Sequence, residues 1–423
     1  MNSRVLIFMG IFISIILAID LYAFKGIKLI TENIKPIYRQ LSIGGFWFFN
    51  FLVYFAVGWL ALNADKFRAP EYTNIIFSIN AFILMAFMTK LVFNIFHGAD
   101  DITYLASKVY HNVFGSKTNF AGDGMSRAKF LTLVGAGLAT VPLGAFAYGF
   151  TKGRFNFRVI RKTLGFDNLP AAFEGLKIIQ ISDIHIGSFP KGHESVAKAV
   201  ELINSRKPDV IVFTGDLVNN FASETEGWID VFKNLKAKHG MYSILGNHDY
   251  GDYVQWNSRE EKKQNLDNVK QANRDIGFDL LLNENRVLEK DGEKIAIVGV
   301  ENWGLKPFPQ LGDINRANQG LENVPFKVLL SHDPSHWDAE VLNHKDMDLM
   351  LAGHTHGMQF GIEIPGIKWS PVQYKYPRWA GLYEKGKQKL YVNRGFGYHA
   401  YAGRIGMDPE ITEIILTSKQ QNA

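Results

Sequence analysis

The stretch Ser243-Ile244-Leu245-Gly246-Asn247-His248-Asp249 breaks an apolar run at a glycine and follows it at once with an amide, an imidazole and a carboxylate. A strand ending this way puts three polar side chains at a sheet edge, where open α/β sheets bind their ligands. Four more apolar runs end similarly. Ile178-Ile179-Gln180-Ile181-Ser182 leads into Asp183-Ile184-His185, and 210–214 into Gly215-Asp216. Val328-Leu329-Leu330 leads into Ser331-His332, and Met350-Leu351-Ala352 into Gly353-His354-Thr355-His356. Each cluster alone is commonplace, since a Gly-Asp pair is usually a turn. Five of them behind five strands converge on one rim.

From about residue 155 short apolar runs alternate with polar helical segments, the pattern of an α/β domain. Strands are expected at 177–181, 210–214, 242–245, 294–300, 327–330, 349–352 and 389–393. Helices are expected at 193–205, where Val196, Ala197, Val200 and Ile203 share a face, and at 265–276 before Gly277. The donors at the rim are nitrogen and oxygen, a set suited to manganese, iron or zinc. Gly215, Gly246 and Gly353 each precede a polar residue, leaving room for the backbone to bend and a metal to approach.

The chain has 423 residues, 47% of them hydrophobic and 21% charged, more than one core absorbs. Lysines and arginines are dispersed among nearly as many acids for a net charge of +5, so no basic stripe points to nucleic acid. The absence of cysteine excludes disulfides, thiolate metal sites and a cysteine nucleophile.

In the order D-x-H, G-D, G-N-H-D, isolated His and G-H-T-H, the five clusters resemble the calcineurin-like metallophosphoesterase superfamily over 176–416. That resemblance implies an α/β fold of two packed, mostly mixed β-sheets flanked by helices, with a binuclear centre at the strand ends. Carried over by motif, Asp183, His185 and His356 hold one divalent ion, Asn247, His332 and His354 hold a second, and Asp216 bridges them. A hydroxide between the two ions attacks phosphorus, while His248 binds no metal and serves as the catalytic imidazole. Asp249 is read as orienting a histidine or stabilising the turn, and His336, His344 and His399 as ordinary histidines. Met358 departs from the glycine many relatives carry after this last motif. The run 391–398 and the segment 404–411 resemble those of bacterial membrane-associated phosphoesterases. Arg394 is read either as a phosphate donor or as half of an ion pair. The segment 369–379, with Trp369, Tyr374, Tyr376 and Trp379, lines a cleft or packs on the sheet edge.

Ahead of this domain lie four apolar stretches, 5–24, 44–62, 74–96 and 130–150, each long enough to cross a bilayer. Asp20 and Lys90 fall near the ends of two of them, where snorkelling to the interface is expected. The expected organisation is an all-α four-helix transmembrane anchor over 1–150, a linker over 151–175 and the catalytic domain over 176–423. The basic residues conflict on orientation. Arg4 with Lys152, Arg154, Arg158, Arg161 and Lys162 places the catalytic half in the cytoplasm, whereas Lys25, Lys28, Lys35 and Arg39 place it outside. Ser126-Arg127-Ala128-Lys129-Phe130-Leu131 resembles an export signal lacking one arginine, which also carries that half outward.

The expectation is a multi-pass protein of a bacterial inner membrane that hydrolyses a phosphoester, phosphodiester or pyrophosphate, with a lipid-linked or envelope substrate. Alternatives are a cytoplasm-facing pyrophosphatase similar to the UDP-diacylglucosamine hydrolases and a non-catalytic metal-binding scaffold.

Overall fold

The computed structural model describes residues 3–114, 126–192 and 194–418. His193, the expected start of one helix, lies outside the described residues. The chain forms two compact units, one of 1–64 and 78–148, the other of 65–77 and 149–423.

The first unit is helical: α1 (Ser3–Ile30), α2 (Pro36–Leu62), most of α3 (Thr73–Phe114) and most of α4 (Arg127–Thr151). All four are long and apolar enough to cross a membrane. Ile15, Leu21, Phe48, Phe51 and Phe55 stand exposed along them, as side chains facing lipid do. Asp20 and Lys90 do not snorkel. Asp20 is fully buried and paired with Lys90; Tyr54 Oη donates to Asp20 Oδ2 at 2.7 Å, and Lys90 Nζ donates to Asn50 Oδ1 at 2.6 Å. The expectation failed because the helices outrun the apolar stretches. α1 continues ten residues past Asp20, so both charges sit on interior turns, where a partner is the only substitute for water.

The second unit is built on strands. The first half contributes β1 (Arg158–Gly165), β2 (Lys177–Ile181), β3 (Val210–Phe213), β4 (Met241–Ser243) and β5 (Asp279–Leu280). The second contributes β6 (Glu284–Lys290), β7 (Glu293–Gly299), β8 (Lys327–Leu330) and β9 (Leu349–Ala352). A hairpin of β10 (Ile362–Ile364) and β11 (Ile367–Trp369) follows, then β12 (Gly381–Lys385), β13 (Gln388–Val392) and β14 (Glu410–Thr417). One sheet runs β1-β14-β2-β3-β4-β5 and the other β12-β13-β9-β8-β7-β6, both mixed. Side-chain alternation explains the layering. Ile178, Val212, Ile295, Ile297, Val328, Leu330 and Ile414 point between the sheets, while Ala296, Val298, Leu329 and Met350 face the opposite way against Trp337 and Leu342. Helix α5 (Glu194–Ser205) connects β2 to β3, and α7 (Arg259–Ile276) follows β4 after the short α6 (Ile229–Phe232).

The stretch 151–175, expected as a linker, contains β1, which pairs in parallel with β14 along its whole length. Its basic residues hid it: Arg158 pairs with Asp408 and Arg161 with Glu413, so charges that read as a membrane-flanking cluster belong to a sheet edge.

Candidate metal centre

Strands β2, β3, β4, β8 and β9 end side by side, and the five clusters follow them. The turns are tight enough to demand unusual backbone. Asp183, His185, Asp216, His354 and His356 all have positive φ, between 45° and 72°, a conformation that costs about 1–3 kcal/mol per non-glycine residue and gathers at functional sites. Two glycines are fixed by close approach. A Cβ on Gly246 would lie 2.3 Å from Asp216 Oδ1, and one on Gly353 would lie 2.2 Å from Asp183 Oδ2. They make room for the carboxylates themselves, which differs from the expected role of admitting a metal.

Among the described residues three sets of donors face one another; one, His185, His248 and His399, includes the imidazole expected to bind no metal, and two hold expected ligands. Asp183, His185 and His356 bring ligand atoms within 4.8 Å of one another, as do Asp216, His332 and His354. Asp216 Oδ2 lies 3.6 Å from His185 Nε2 and 3.1 Å from His332 Nε2, so one carboxylate oxygen faces both sets. Asn247 Oδ1 lies 3.1 Å from His332 Nε2 and 2.8 Å from His354 Nδ1. His332 Nδ1–H donates to the Thr214 carbonyl at 2.7 Å, turning Nε2 toward the shared space. Arg404, a donor only, lies 3.2 Å from His356 Nδ1, which leaves His356 Nε2 directed at Asp183 and His185.

This donor set fits divalent cations. Burial opposes charge on Asp183 and Asp216, yet the neighbouring imidazoles, His356 for Asp183 and His332 for Asp216, hold both carboxyls below the usual range. Burial also disfavours charge on His332, but Asp216 and then Asp183 push it up to about 10, so one proton occupies the space between two carboxylates. Burial keeps His185 and His354 low and therefore neutral, with lone pairs available. A cation entering the site would displace the His332 proton, the ordinary exchange at metal sites. Two further atoms point to an incomplete site: His185 Nδ1 and Asp333 Oδ2 are buried without a hydrogen-bond partner.

His248 is held differently. Its N–H donates to Asp216 Oδ1 at 2.8 Å and its Nδ1–H to the Asn219 carbonyl at 2.8 Å, leaving Nε2 uncommitted. Asp249 does not touch the His248 ring. It accepts from the backbone N–H groups of Asp216, Leu217, Val218 and Gly246, tying the end of β3 to the end of β4. Burial and then the charge of Asp216 push the Asp249 carboxyl up to about 7.

Several neighbours were not expected here. His399 stacks on His185 with ring centroids 4.9 Å apart, lies 4.4 Å from the His248 ring, and has Nδ1 2.8 Å from Asn219 Oδ1. Nothing near His399 in the chain signals this, because a loop return after β13 decides it. Asn219 itself follows Asp216 by only three residues, a spacing that puts it in the same strand-end loop. Tyr253 Oη accepts from Asn247 Nδ2 at 2.7 Å, and Tyr376 Oη lies 2.8 Å from His354 Nε2. The segment 369–379 therefore divides: Tyr376 meets the site, Trp379 is buried and Tyr374 is 80% exposed. Arg394 is committed to Glu363 and Glu410 and is not a free phosphate donor. His336 and His344 pair with Glu340 away from the rim, as ordinary histidines. Met358 has φ 54°, a left-handed conformation that favours glycine.

Comparison with known proteins identifies the family. Residues 3–154 match the family described as probable calcineurin-like phosphoesterase, transmembrane domain, and residues 176–358 match calcineurin-like phosphoesterase. The metallophosphoesterase YkuE of Bacillus subtilis is 31% identical over 301 residues, covering 70% of this chain and 98% of that one. Phosphodiesterase YaeI of Escherichia coli is 29% identical over 297 residues, covering 69% of this chain and 99% of that one. A zebrafish (Danio rerio) transmembrane protein with metallophosphoesterase domain is 26% identical over 311 residues, or 71% of this chain and 66% of that one.

Proposed function

Because the chain belongs to the calcineurin-like metallophosphoesterases, a membrane-associated family of metal-dependent phosphoester hydrolases, we propose that it cleaves a phosphodiester of an amphiphilic substrate at the surface of its own membrane. The observation that carries this reading is the convergence of seven donors on one space beside an imidazole whose Nε2 is uncommitted.

In this reading Asp183, His185 and His356 hold one divalent ion, and Asn247, His332 and His354 hold a second. Asp216, whose Oδ2 faces both sets, lies between them. Manganese, iron and zinc all suit these ligands. Bound divalent ions lower the pKa of coordinated water and neutralise charge on the phosphoryl oxygens. The protein supplies the remainder. Asp249 fixes the backbone on which Asp216 and Asn247 stand. The Asn219 carbonyl holds His248 Nδ1–H, which stabilises the ring when it is charged and directs Nε2–H at the departing oxygen. Tyr253, whose ring lies 4.5 Å from His248, closes one side of the space.

A diester is favoured by the name of the E. coli relative, phosphodiesterase, and a lipid-linked or envelope substrate by the four-helix anchor. We place the protein in a bacterial inner membrane with the catalytic unit outside the cytoplasm. Four spans put both chain ends on one side. Lys25, Lys28, Lys35, Arg127 and Lys129 flank the two opposite loops; Lys25, Arg127 and Lys129 carry ion pairs there, as Arg158 and Arg161 do at the sheet edge.

The purified full chain, loaded with manganese, should hydrolyse an aryl phosphodiester, and His248→Ala should slow it by about 10²–10⁴-fold with metal content unchanged. No hydrolysis with any of the three metals would return the scaffold reading. Lipid and nucleotide profiling of a strain carrying His248→Ala should reveal an accumulated ester. A reporter fused after Ala423 that is active only in the cytoplasm would shift the reading to a pyrophosphatase of a nucleotide-linked lipid.

A further inference from the structure

The β10–β11 hairpin ties its charged residues to the domain and leaves its apolar side chains open. Its register pairs Ile362 with Trp369, Glu363 with Lys368 and Ile364 with Ile367. Directly opposed residues share a face, so the isoleucines and Trp369 lie on one side and the two charges on the other. The charged side is fastened to the domain. Arg394 Nη2 donates to Glu363 Oε1 at 2.6 Å, and Lys368 donates to the Ala380 carbonyl with its ammonium 4.9 Å from the Trp379 ring centroid. The apolar side stays open, with Ile362, Ile364 and Ile367 49%, 55% and 53% exposed. A hairpin whose free face met water would carry the opposite pattern.

We propose that this hairpin docks into the bilayer that anchors the chain, its isoleucines entering the boundary between headgroups and acyl chains. Three observations select lipid as the occupant. The chain tethers this unit to the membrane at two places: residues 65–77, the connection from α2 to α3 together with the first residues of α3, belong to it, and only six residues, 152–157, separate α4 from β1. Six residues reach about 20 Å at most. Exposed Tyr374 and Lys375 flank the hairpin, the residue types that favour the interface beside an apolar wedge. The hairpin also joins two parts of the rim, leaving the loop of His356 at Met358, itself 53% exposed, and returning to Tyr376 against His354. Docking therefore brings the mouth of the metal centre to the lipid surface. The proposal rests on the membrane anchor and stands whichever phosphate ester is cleaved.

The chain has no cysteine, so a single one reports one position. Full-length Ile364→Cys is labelled with an environment-sensitive fluorophore and reconstituted in vesicles of phosphatidylethanolamine and phosphatidylglycerol. Asp267→Cys, on the exposed face of α7, serves as reference. The expected result is a blue shift at 364 and loss of its emission when nitroxide lipids are included, with neither effect at 267. A circular dichroism spectrum like the parent's establishes that each variant is folded. Unquenched emission at 364, or equal quenching at both positions, overturns the proposal. A 364–364 cross-link without lipid quenching also overturns it and assigns the face to a second copy of the chain.

Discussion

Two of the buried charge clusters in this molecule are chemically opposite. In the membrane unit Asp20 meets Lys90, and Asn50 and Tyr54 complete their hydrogen bonds. One anion faces one cation. In the catalytic unit Asp183 and Asp216 face four imidazoles and an amide, and Arg404 beside them bonds His356 and backbone carbonyls rather than either carboxylate. A charge-balanced cluster of this kind serves the packing of helices. An unbalanced one, with lone pairs directed at a common space, is a place for cations. Burial alone does not separate structure from function; the balance of donors, acceptors and charge does.

The sharpest way to break this contrast is to remove the carboxylate that faces both donor sets. Asp216→Asn should lower turnover by about 10³-fold or more and reduce metal content by elemental analysis. Retained metal with near-normal turnover would mean that Asp216 merely orders the turn. Next come two adjacent residues that should fail differently. His248→Ala should cost about 10²–10⁴-fold in kcat with both metals retained, whereas Asn247→Ala should weaken one metal. The reverse pattern would refute the division of roles.

In the membrane unit, Lys90→Met strands a buried carboxylate and should destabilise that unit by about 3–5 kcal/mol. Adding Asp20→Asn should restore most of the loss, read as the thermal midpoint of the detergent-purified chain. If the single variant were neutral, Asp20 would have to be reached by water. Turnover per folded molecule should be unchanged in both.

The smallest effect concerns pH. The raised folded pKa of His332 contributes stability that is complete below its unfolded value near 6.5 and lost as pH climbs toward about 10. Asp249, raised to about 7, acts in the same direction: its unfolded form releases a proton that the fold retains, so stability falls between about 4 and 7. Below about 6.5 the low His185 and His354 oppose this, because their unfolded forms bind protons that the fold does not, so the metal-free protein should melt at lower temperature as pH rises from 7 to 9. The metal-loaded protein should lose this slope, because cations replace the His332 proton and offset the charge of Asp216.

Much of the catalytic domain is legible along the chain because its parallel strands are buried on both faces and read as unbroken apolar runs, as at 327–330 and 349–352. The edge strand β1 and its neighbour β14 were not: β1 carries Arg158, Arg161 and Lys162, and the eight-residue β14 interrupts its apolar residues with buried Glu410, Thr412 and Glu413. Strand-end motifs could mark Asp183, His185 and His354 because the backbone itself projects them from adjacent strands.

The sequence alone determined that an α/β domain with a rim of nitrogen and oxygen donors follows four apolar spans, since both patterns are local and periodic. Only the tertiary structure decided the rest. It separated Asp249, bound to four backbone N–H groups, from His248 beside it, and brought His399 and Tyr376 to the rim from distant loops. It also paired Asp20 with Lys90, seventy residues apart. Hydrogen-bond partners and charge balance are properties of neighbours in space, and a linear order of residues does not contain them.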